Sequence, residues 1–453
     1  MEGKRQSTVG NISNDTLTID ANPTKEFFID MLTKDIPLIR AILDLVDNSL
    51  DGARRMRGDS DYNGLNVNID YSDNNFRISD NCGGITVDTA RRYAFRFGRS
   101  ERVDELKHSV GRFGVGMKRA LFKMGKDFNI LSICEYSRFR IIINIDVWKN
   151  KDKWEFQFDE LKENISRIPS DQWGTSIVIT SLYDEVAEKF RLVNFNNDLR
   201  IALESAHQYA MDQGLEIVVN RVPLRFRPAE LLQSNDIKPA YWETTYTQND
   251  KAPITVKIYT GISKSDPKSA GWYIYCNGRM ILDADKTIDT GWGEGNEKKI
   301  PRYHNQYSMF RGYLFFESDD ASLLPWNTTK TGVDTDSSLY RTIRLEMLTF
   351  MRPVIDFIND WDKEKDSAEI TGHKPLDIAV ASASVKRLSA VNTAESFIRP
   401  RSAPQPRLPQ TQRIQYDRPI EEIEKLKNHL GVRSNKEVGE KTFEYYLESE
   451  CYE

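Results

Sequence analysis

The stretch Leu43-Asp44-Leu45-Val46-Asp47-Asn48-Ser49-Leu50-Asp51-Gly52-Ala53 places two carboxylates and an amide at the spacing of one helix face. Apolar residues at Ile39, Ile42, Leu43, Val46 and Leu50 follow a helical period, which sets Asp44, Asn48 and Asp51 at i, i+4 and i+7 along a single stripe. Such a stripe suits the holding of a hydrated divalent cation and of a water that must lose a proton. Asp47 falls off this stripe and is expected to point to a different face. A second group, Ile78-Ser79-Asp80-Asn81-Cys82-Gly83-Gly84-Ile85, follows a hairpin expected from Leu65–Tyr71 and Phe76–Ser79. An Asp leaving a strand into paired glycines can present its carboxylate while the backbone approaches a flat ligand closely.

Two further motifs follow in order. Gly111-Arg112-Phe113-Gly114-Val115-Gly116-Met117-Lys118 runs into a helical pattern from Met117 to Met124. Glycine-rich turns at helix starts expose backbone amides to phosphate. Gly174-Thr175-Ser176-Ile177-Val178-Ile179-Thr180 opens an alternating strand. Taken singly, each motif also reads as an ordinary cap or turn. The glycine run lacks the βαβ start and the acidic partner of a dinucleotide site, and it has no Gly-Lys-Ser/Thr of a P-loop.

The order and spacing of the four motifs resemble the gyrase, heat-shock chaperone, histidine kinase and MutL (GHKL) superfamily of ATPases, strongly over residues 26–185 and more loosely over 186–365. The resemblance implies an α/β fold: a Bergerat-type α/β sandwich with a mixed sheet, then a second, transducer-like α/β domain and a helical tail. It implies Mg²⁺ and ATP as ligands. Asn48 takes the position of the Mg²⁺ ligand and Asp44 that of the base, where the family usually has Glu. Asp51 becomes a supporting polar residue, Asp80 the acceptor of the adenine amino group, and Gly84 the point of close approach of the base. Gly111, Gly114, Val115, Gly116, Met117 and Lys118 become the phosphate-facing lid hinge, and Thr175 a support for Asp80 through its hydroxyl or a water. The transducer domain of such proteins sends a lysine to the γ-phosphate. Lys330, in Leu324-Pro325-Trp326-Asn327-Thr328-Thr329-Lys330-Thr331-Gly332, is the matching candidate, a surface-loop lysine being the plain alternative. Cys82, where the family usually has Gly, reads as a buried neutral thiol.

Composition bounds the rest. The chain has 453 residues, 39% hydrophobic and 11% aromatic, which leaves room for two to three domains with a sizeable core. A net charge of −5 gives no overall basic bias toward nucleic acid. A local cationic run (Arg91, Arg92, Arg96, Arg99, Arg102, Lys107, His108) reads as a solvated lid or as a phosphate contact. Four scattered cysteines argue against a zinc site or a disulfide framework and fit a reducing cytoplasm. The start MEGKRQSTVG is not that of a signal peptide, and no apolar run reaches the roughly 18 residues of a membrane helix.

The expected organisation is an arm (1–25), the ATP-binding domain (26–185), a second α/β domain (186–365), a flexible linker (366–418) and a short helical tail (419–453). Strands are expected at 128–134, 139–147, 154–158, 215–219, 254–259, 271–276 and 313–317, and a long amphipathic helix at 339–358. Asn277-Gly278-Arg279 reads as a tight hairpin turn, and turn chemistry alone accounts for its Arg. Within the resemblance, the reading is an ATPase, slow or partner-stimulated, whose subunits close as a homodimer and act on a DNA or protein partner, as in the MutL and MORC-like branch, with a DNA-related or phage-defence role. A non-hydrolysing ATP sensor and a heat-shock-type chaperone are the alternatives. A histidine kinase needs a phosphoacceptor before the ATP domain, and none of His108, His207, His304, His373 and His429 precedes Asp44.

Overall fold

The computed structural model describes residues 23–58, 61–96, 116–247, 251–294, 300–327, 329–371, 374–400 and 414–451. The chain divides into two units, Met1–Ser402 and Ala403–Glu453. In the larger unit, α1 (Lys25–Thr33) is capped by the Thr24 hydroxyl, which accepts from the Phe27 amide. Helix α2 (Leu38–Arg57) carries the first motif and buries Leu38, Ile42, Val46, Leu50 and Ala53. Strands β1 (Asn66–Tyr71) and β2 (Phe76–Asp80) form the expected hairpin, in register from Val67 opposite Asp80 to Tyr71 opposite Phe76. A short α3 (Val87–Thr89) runs into a wide turn at Ala90–Ala94. Then come α4 (Gly116–Met124), β3 (Gly125–Cys134), β4 (Ser137–Asn144), α5 (Ile145–Lys149), β5 (Glu160–Glu163) and β6 (Gly174–Leu182). Helices α6 (Asp184–Arg191), α7 (Val193–Ala206) and α8 (Gln208–Asp212) lead to β7 (Glu216–Val219) and β8 (Val222–Pro223).

These eight strands make one sheet, in the order β5-β4-β3-β6-β2-β1-β7-β8. It is mixed, because β1 and β7 run parallel while its other pairs are antiparallel. The mixed α/β fold expected from the sequence is present. Helices α2 and α4 cover the sheet, and their apolar faces join Val67, Ile69, Ile78, Ile130, Ile177 and Ile179 in a continuous core.

After β9 (Glu230–Gln233), a second sheet is built from β10 (Ala240–Tyr246), β11 (Ile254–Ile262), β12 (Gly271–Cys276), β13 (Arg279–Asp285) and β14 (Phe310–Ser318), in the order β10-β11-β14-β12-β13. Helix α9 (Ser338–Thr371) packs on it through Met347, Met351, Val354 and Ile355. Helix α10 (Pro375–Ser382) and β15 (Ser384–Arg387) follow, β15 pairing with β9. Isolated bridges tie Ile398 to Lys238 and Ala394 to Ala240. The smaller unit is a pair of helices, α11 (Ile420–Leu430) and α12 (Asn435–Glu450), the second opened by a capping box of Ser434 and Glu437. Phe443, Tyr445 and Tyr446 are exposed on it.

Three features differ from expectation. The strand after residue 215 joins the first sheet, not the second: Ile217 and Val219 are buried beside Val67 and Ile69, so β7 shields what would otherwise be an exposed edge of β1. Residues 154–158 form no ladder. Their alternating aromatics pack ring on ring instead, with Phe156 at 5.2 Å from Trp148 and Phe158 at 5.3 Å from Phe139. The segment 374–400, expected as linker, contributes a helix and a strand to the larger unit, because Val385 pairs with Leu232, and Leu376 and Phe397 are buried in its core. Among the described residues, no helix is long and apolar enough to cross a membrane.

Candidate functional site

Helix α2 lies with Asn48, Ser49 and Gly52 facing β2 and β6, and a cleft opens between them. Asn48, Ser49, Arg55, Asp80, Cys82, Gly84, Met117 and Thr175 line it, with an apolar wall of Leu45, Ile78, Ile85 and Ile177. The antiparallel register of β2 and β6 sets Asp80 opposite Thr175. Asp80 Oδ1 accepts from the Cys82 amide at 2.9 Å and from the Thr175 amide at 3.3 Å. Its Oδ2 accepts from the Ser49 hydroxyl at 2.8 Å. Burial pushes the Asp80 carboxyl above its usual range, and these three donors pull it back. Thr175 therefore supports Asp80 through its backbone amide; its hydroxyl lies 3.5 Å from that of Ser132.

Gly84 has the left-handed φ of +70°. A Cβ there would collide with the Ile133 carbonyl oxygen, and the amide of the following residue, Ile85, is held by Ser132 Oγ at 2.7 Å. The requirement for glycine thus comes from the close approach of β3 as well as from the cleft. Gly84→Ala is expected to lower folding stability by about 2–4 kcal/mol, since left-handed strain and a backbone clash add; a urea unfolding midpoint reads this directly. Cys82 is buried, its thiol pushed up mainly by burial, and so is protonated as expected.

The amide nitrogen of Asn48 is buried with no hydrogen-bond partner among the described residues. A buried polar group without a partner is rare, and one facing a cleft calls for a ligand or water. Next to it, Asp44 Oδ2 is gripped by Arg119 Nη2 at 2.6 Å. Arg119 comes from α4, whose first residue approaches so closely that a Cβ on Gly116 would lie 3.3 Å from Asp44 Cβ. Glycine at that position lets the start of α4, with its free N–H groups, sit against the carboxylate.

Lys330 arrives from 286 positions further along the chain, with Nζ 3.4 Å from Asp44 Oδ1. The Lys330 amide donates to Asn327 O at 3.0 Å, the Asn327 amide to Gly332 O at 3.0 Å, and Trp326 is buried. The nearer partner of Lys330 is Asp47, whose Oδ2 lies 2.6 Å away. Asp47 Oδ1 lies 3.0 Å from both His207 Nε2 and Arg279 Nε. Burial pushes the Asp47 carboxyl up, but Arg279, Lys330 and the His207 hydrogen bond hold it well below the usual carboxylate range. Burial lowers the His207 imidazole, which leaves it neutral and donating from Nε2.

The structure thus brings Asp44, Asn48, Asp80, Gly84, Gly116, Met117, Thr175 and Lys330 around one region. Asp44, Gly116 and Lys330 meet beside the cleft, outside its lining, and two further residues lie apart from both groups. Asp51 is buried outside the cleft lining. Lys118 is buried with Nζ on the carbonyls of Ala94 at 2.9 Å and Arg96 at 2.5 Å, so it fastens the end of the turn after α3 instead of meeting phosphate. Gly111, Gly114 and Val115 lie outside the described residues, as do Arg99, Arg102, Lys107 and His108. Arg91 and Arg92 pair with Glu163 and Asp88 at the surface. Sequence reasoning missed Ser49, Arg119, His207 and the role of Asp47 and Arg279. The one signal available was a third carboxylate in the Leu43–Ala53 stretch, off the stripe of the other two, which must find a counter-charge if buried.

Residues 36–175 match the sequence profile of the family described as histidine kinase-, DNA gyrase B-, and HSP90-like ATPases. The matched stretch holds Asp44, Asn48, Asp80, Gly84 and Thr175 and supports the resemblance to the GHKL superfamily. No curated protein matches the chain.

Proposed function

We propose that the chain binds Mg·ATP in the cleft between α2 and strands β2 and β6 and hydrolyses it slowly, using the third phosphate to set the position of the second α/β unit. The observation that carries this reading is that Asn48 shares a cleft with the hydrogen-bonded Asp80 and stands one helical turn from Asp44, which Lys330 approaches to 3.4 Å. Adenine fits the Asp80 end: Oδ2 has acceptor capacity beyond the Ser49 bond, and the amino group of the base is a donor. Leu45, Ile78 and Ile177 give the ring an apolar bed.

The Asn48 side chain fits a Mg²⁺ site: its carbonyl oxygen is the kind of atom the ion takes together with phosphate oxygens, and its amide nitrogen, without a partner among the described residues, can donate to a phosphate oxygen or a water. The bound ion supplies neutralisation of phosphate charge. Asp44 receives the proton of the attacking water as its oxygen bonds to the γ-phosphorus, while the β–γ bridging bond breaks and its electron pair leaves with ADP. Arg119 and Lys330 fix the orientation of Asp44. An Asp in place of Glu is one methylene shorter, and the close approach of α4 at Gly116 brings the phosphate-facing end of that helix toward it. Closure of two copies over the nucleotide and action on a DNA or protein partner extend this reading by analogy with the superfamily.

Equilibrium binding of ATP and GTP with Mg²⁺, alongside phosphate release, tests the reading. The wild type is expected to bind ATP in preference to GTP and to turn it over. Asp80→Asn is expected to weaken ATP about 10- to 100-fold, from loss of a charge-assisted acceptor at about 1.5–3 kcal/mol. Failure of the wild type to bind ATP removes the proposal. Binding without turnover turns it into an ATP sensor.

A further inference from the structure

Asp47 meets a histidine, an arginine and a lysine, and no step of the proposed hydrolysis uses it. It is 1% exposed on α2, next in sequence to Asn48. Its three partners come from three separate segments of the later chain: His207 between α7 and α8, Arg279 at the start of β13, and Lys330 in the loop before α9. One oxygen serves His207 and Arg279; the other is left to Lys330 alone. Lys330 divides unequally, with Asp47 at 2.6 Å and Asp44 at 3.4 Å.

Lys330 itself is 7% exposed and has the left-handed φ of +53° on a loop closed by the Trp326–Val333 bridge. Its backbone is pinned, so its ammonium changes partner by side-chain rotation. A third phosphate beside Asn48 and Asp44 would compete for that ammonium with the Asp47 carboxylate.

We infer that Asp47 is a positioning residue that acts through Lys330: it holds the ammonium in the nucleotide-free chain, releases it only to a γ-phosphate, and takes it back when that phosphate leaves. This rests on the ATP reading above. Because Arg279 and His207 stay on the other oxygen, the exchange alters one of the three contacts that tie Asp47 to the later chain while two remain. Occupancy of the third phosphate is thereby converted into a change in how tightly the Lys330 loop is tied to α2.

The consequence is a specific cost on triphosphate binding that diphosphate binding does not meet. Asp47→Asn removes the competing charge. The experiment measures, with Mg²⁺, the Kd of ADP and of the non-hydrolysable β,γ-imido analogue of ATP. In Asp47→Asn the preference for the analogue over ADP is expected to rise about tenfold, with ADP changed less than about twofold. A merely structural Asp47 would weaken both ligands together, and an unmoved or reduced preference overturns the inference. Loss of the carboxylate also leaves buried cations unpaired and can prevent folding. Asp47→Asn combined with Lys330→Gln removes both partners of the pair and is compared with Lys330→Gln alone. The two are expected to show the same analogue-to-ADP preference, and a difference overturns the inference. Wild-type protein that binds neither nucleotide overturns the ATP reading and the latch with it; binding with an unmoved preference overturns the latch alone.

Discussion

Asp44→Asn is expected to retain Mg·ATP binding and to lose turnover by about 10²- to 10⁴-fold, the span typical of a positioned general base. Asn is nearly isosteric, and its oxygen can keep the contact with Arg119 or with Lys330. What it lacks is the capacity to take a proton from water. Steady-state phosphate release, with nucleotide binding measured in parallel, separates the two effects. Retained turnover would move the base to another group and leave Asp44 as an anchor for Arg119 and Lys330. The ion pairs make this a sharp test, since a carboxylate needed only for structure would show its loss in the unfolding midpoint and not in the ratio of turnover to binding.

Asn48→Ala is expected to act earlier, on the metal. The substitution deletes the side-chain carbonyl that would hold the ion, and the buried amide nitrogen lost with it has no partner among the described residues, so folding should be little affected. Nucleotide binding should lose its dependence on Mg²⁺. Turnover should fall by roughly 10³-fold, corresponding to about 4 kcal/mol of charge stabilisation at the transferring phosphoryl group. Titration of nucleotide with and without a chelator reads the first effect. An Asn48→Ala protein that still responds to Mg²⁺ would place the ion on other ligands. Together with Asp44→Asn, the variant distinguishes binding from chemistry on two residues one helical turn apart.

The helix period of the Asp44–Ala53 stretch was legible because apolar residues repeat over about three turns from Ile39 to Leu50, and α2 buries Ile42, Leu43, Val46 and Leu50 of those the period selects. The Asp80 turn was legible for a similar reason: left-handed φ values of +89° at Gly83 and +70° at Gly84 leave few alternatives to glycine. Lys330 was legible as a kind of residue in a kind of loop. Its arrival beside Asp44 depends on the whole second sheet, and nothing local to residues 324–332 encodes it.

What the chain's residues determined by themselves is the mixed α/β class, the acidic and amide stripe of α2, the acceptor at the end of β2 and most strand positions. Each of these follows from local periodicity or from backbone conformations that few residues tolerate. Tertiary structure alone decided the pairing of charges. Asp47, expected on a different face from Asp44, shares Lys330 with it and meets Arg279 of the second sheet and His207 from between α7 and α8. Lys118, in a glycine-rich motif suited to phosphate, turns to the Ala94 and Arg96 carbonyls that the turn after α3 brings within reach. Residues 216–223 join the first sheet because β1 needed a neighbour. A buried charge takes whichever opposite charge the fold brings within reach, and that choice is made by elements hundreds of residues apart, so no spacing along the chain records it.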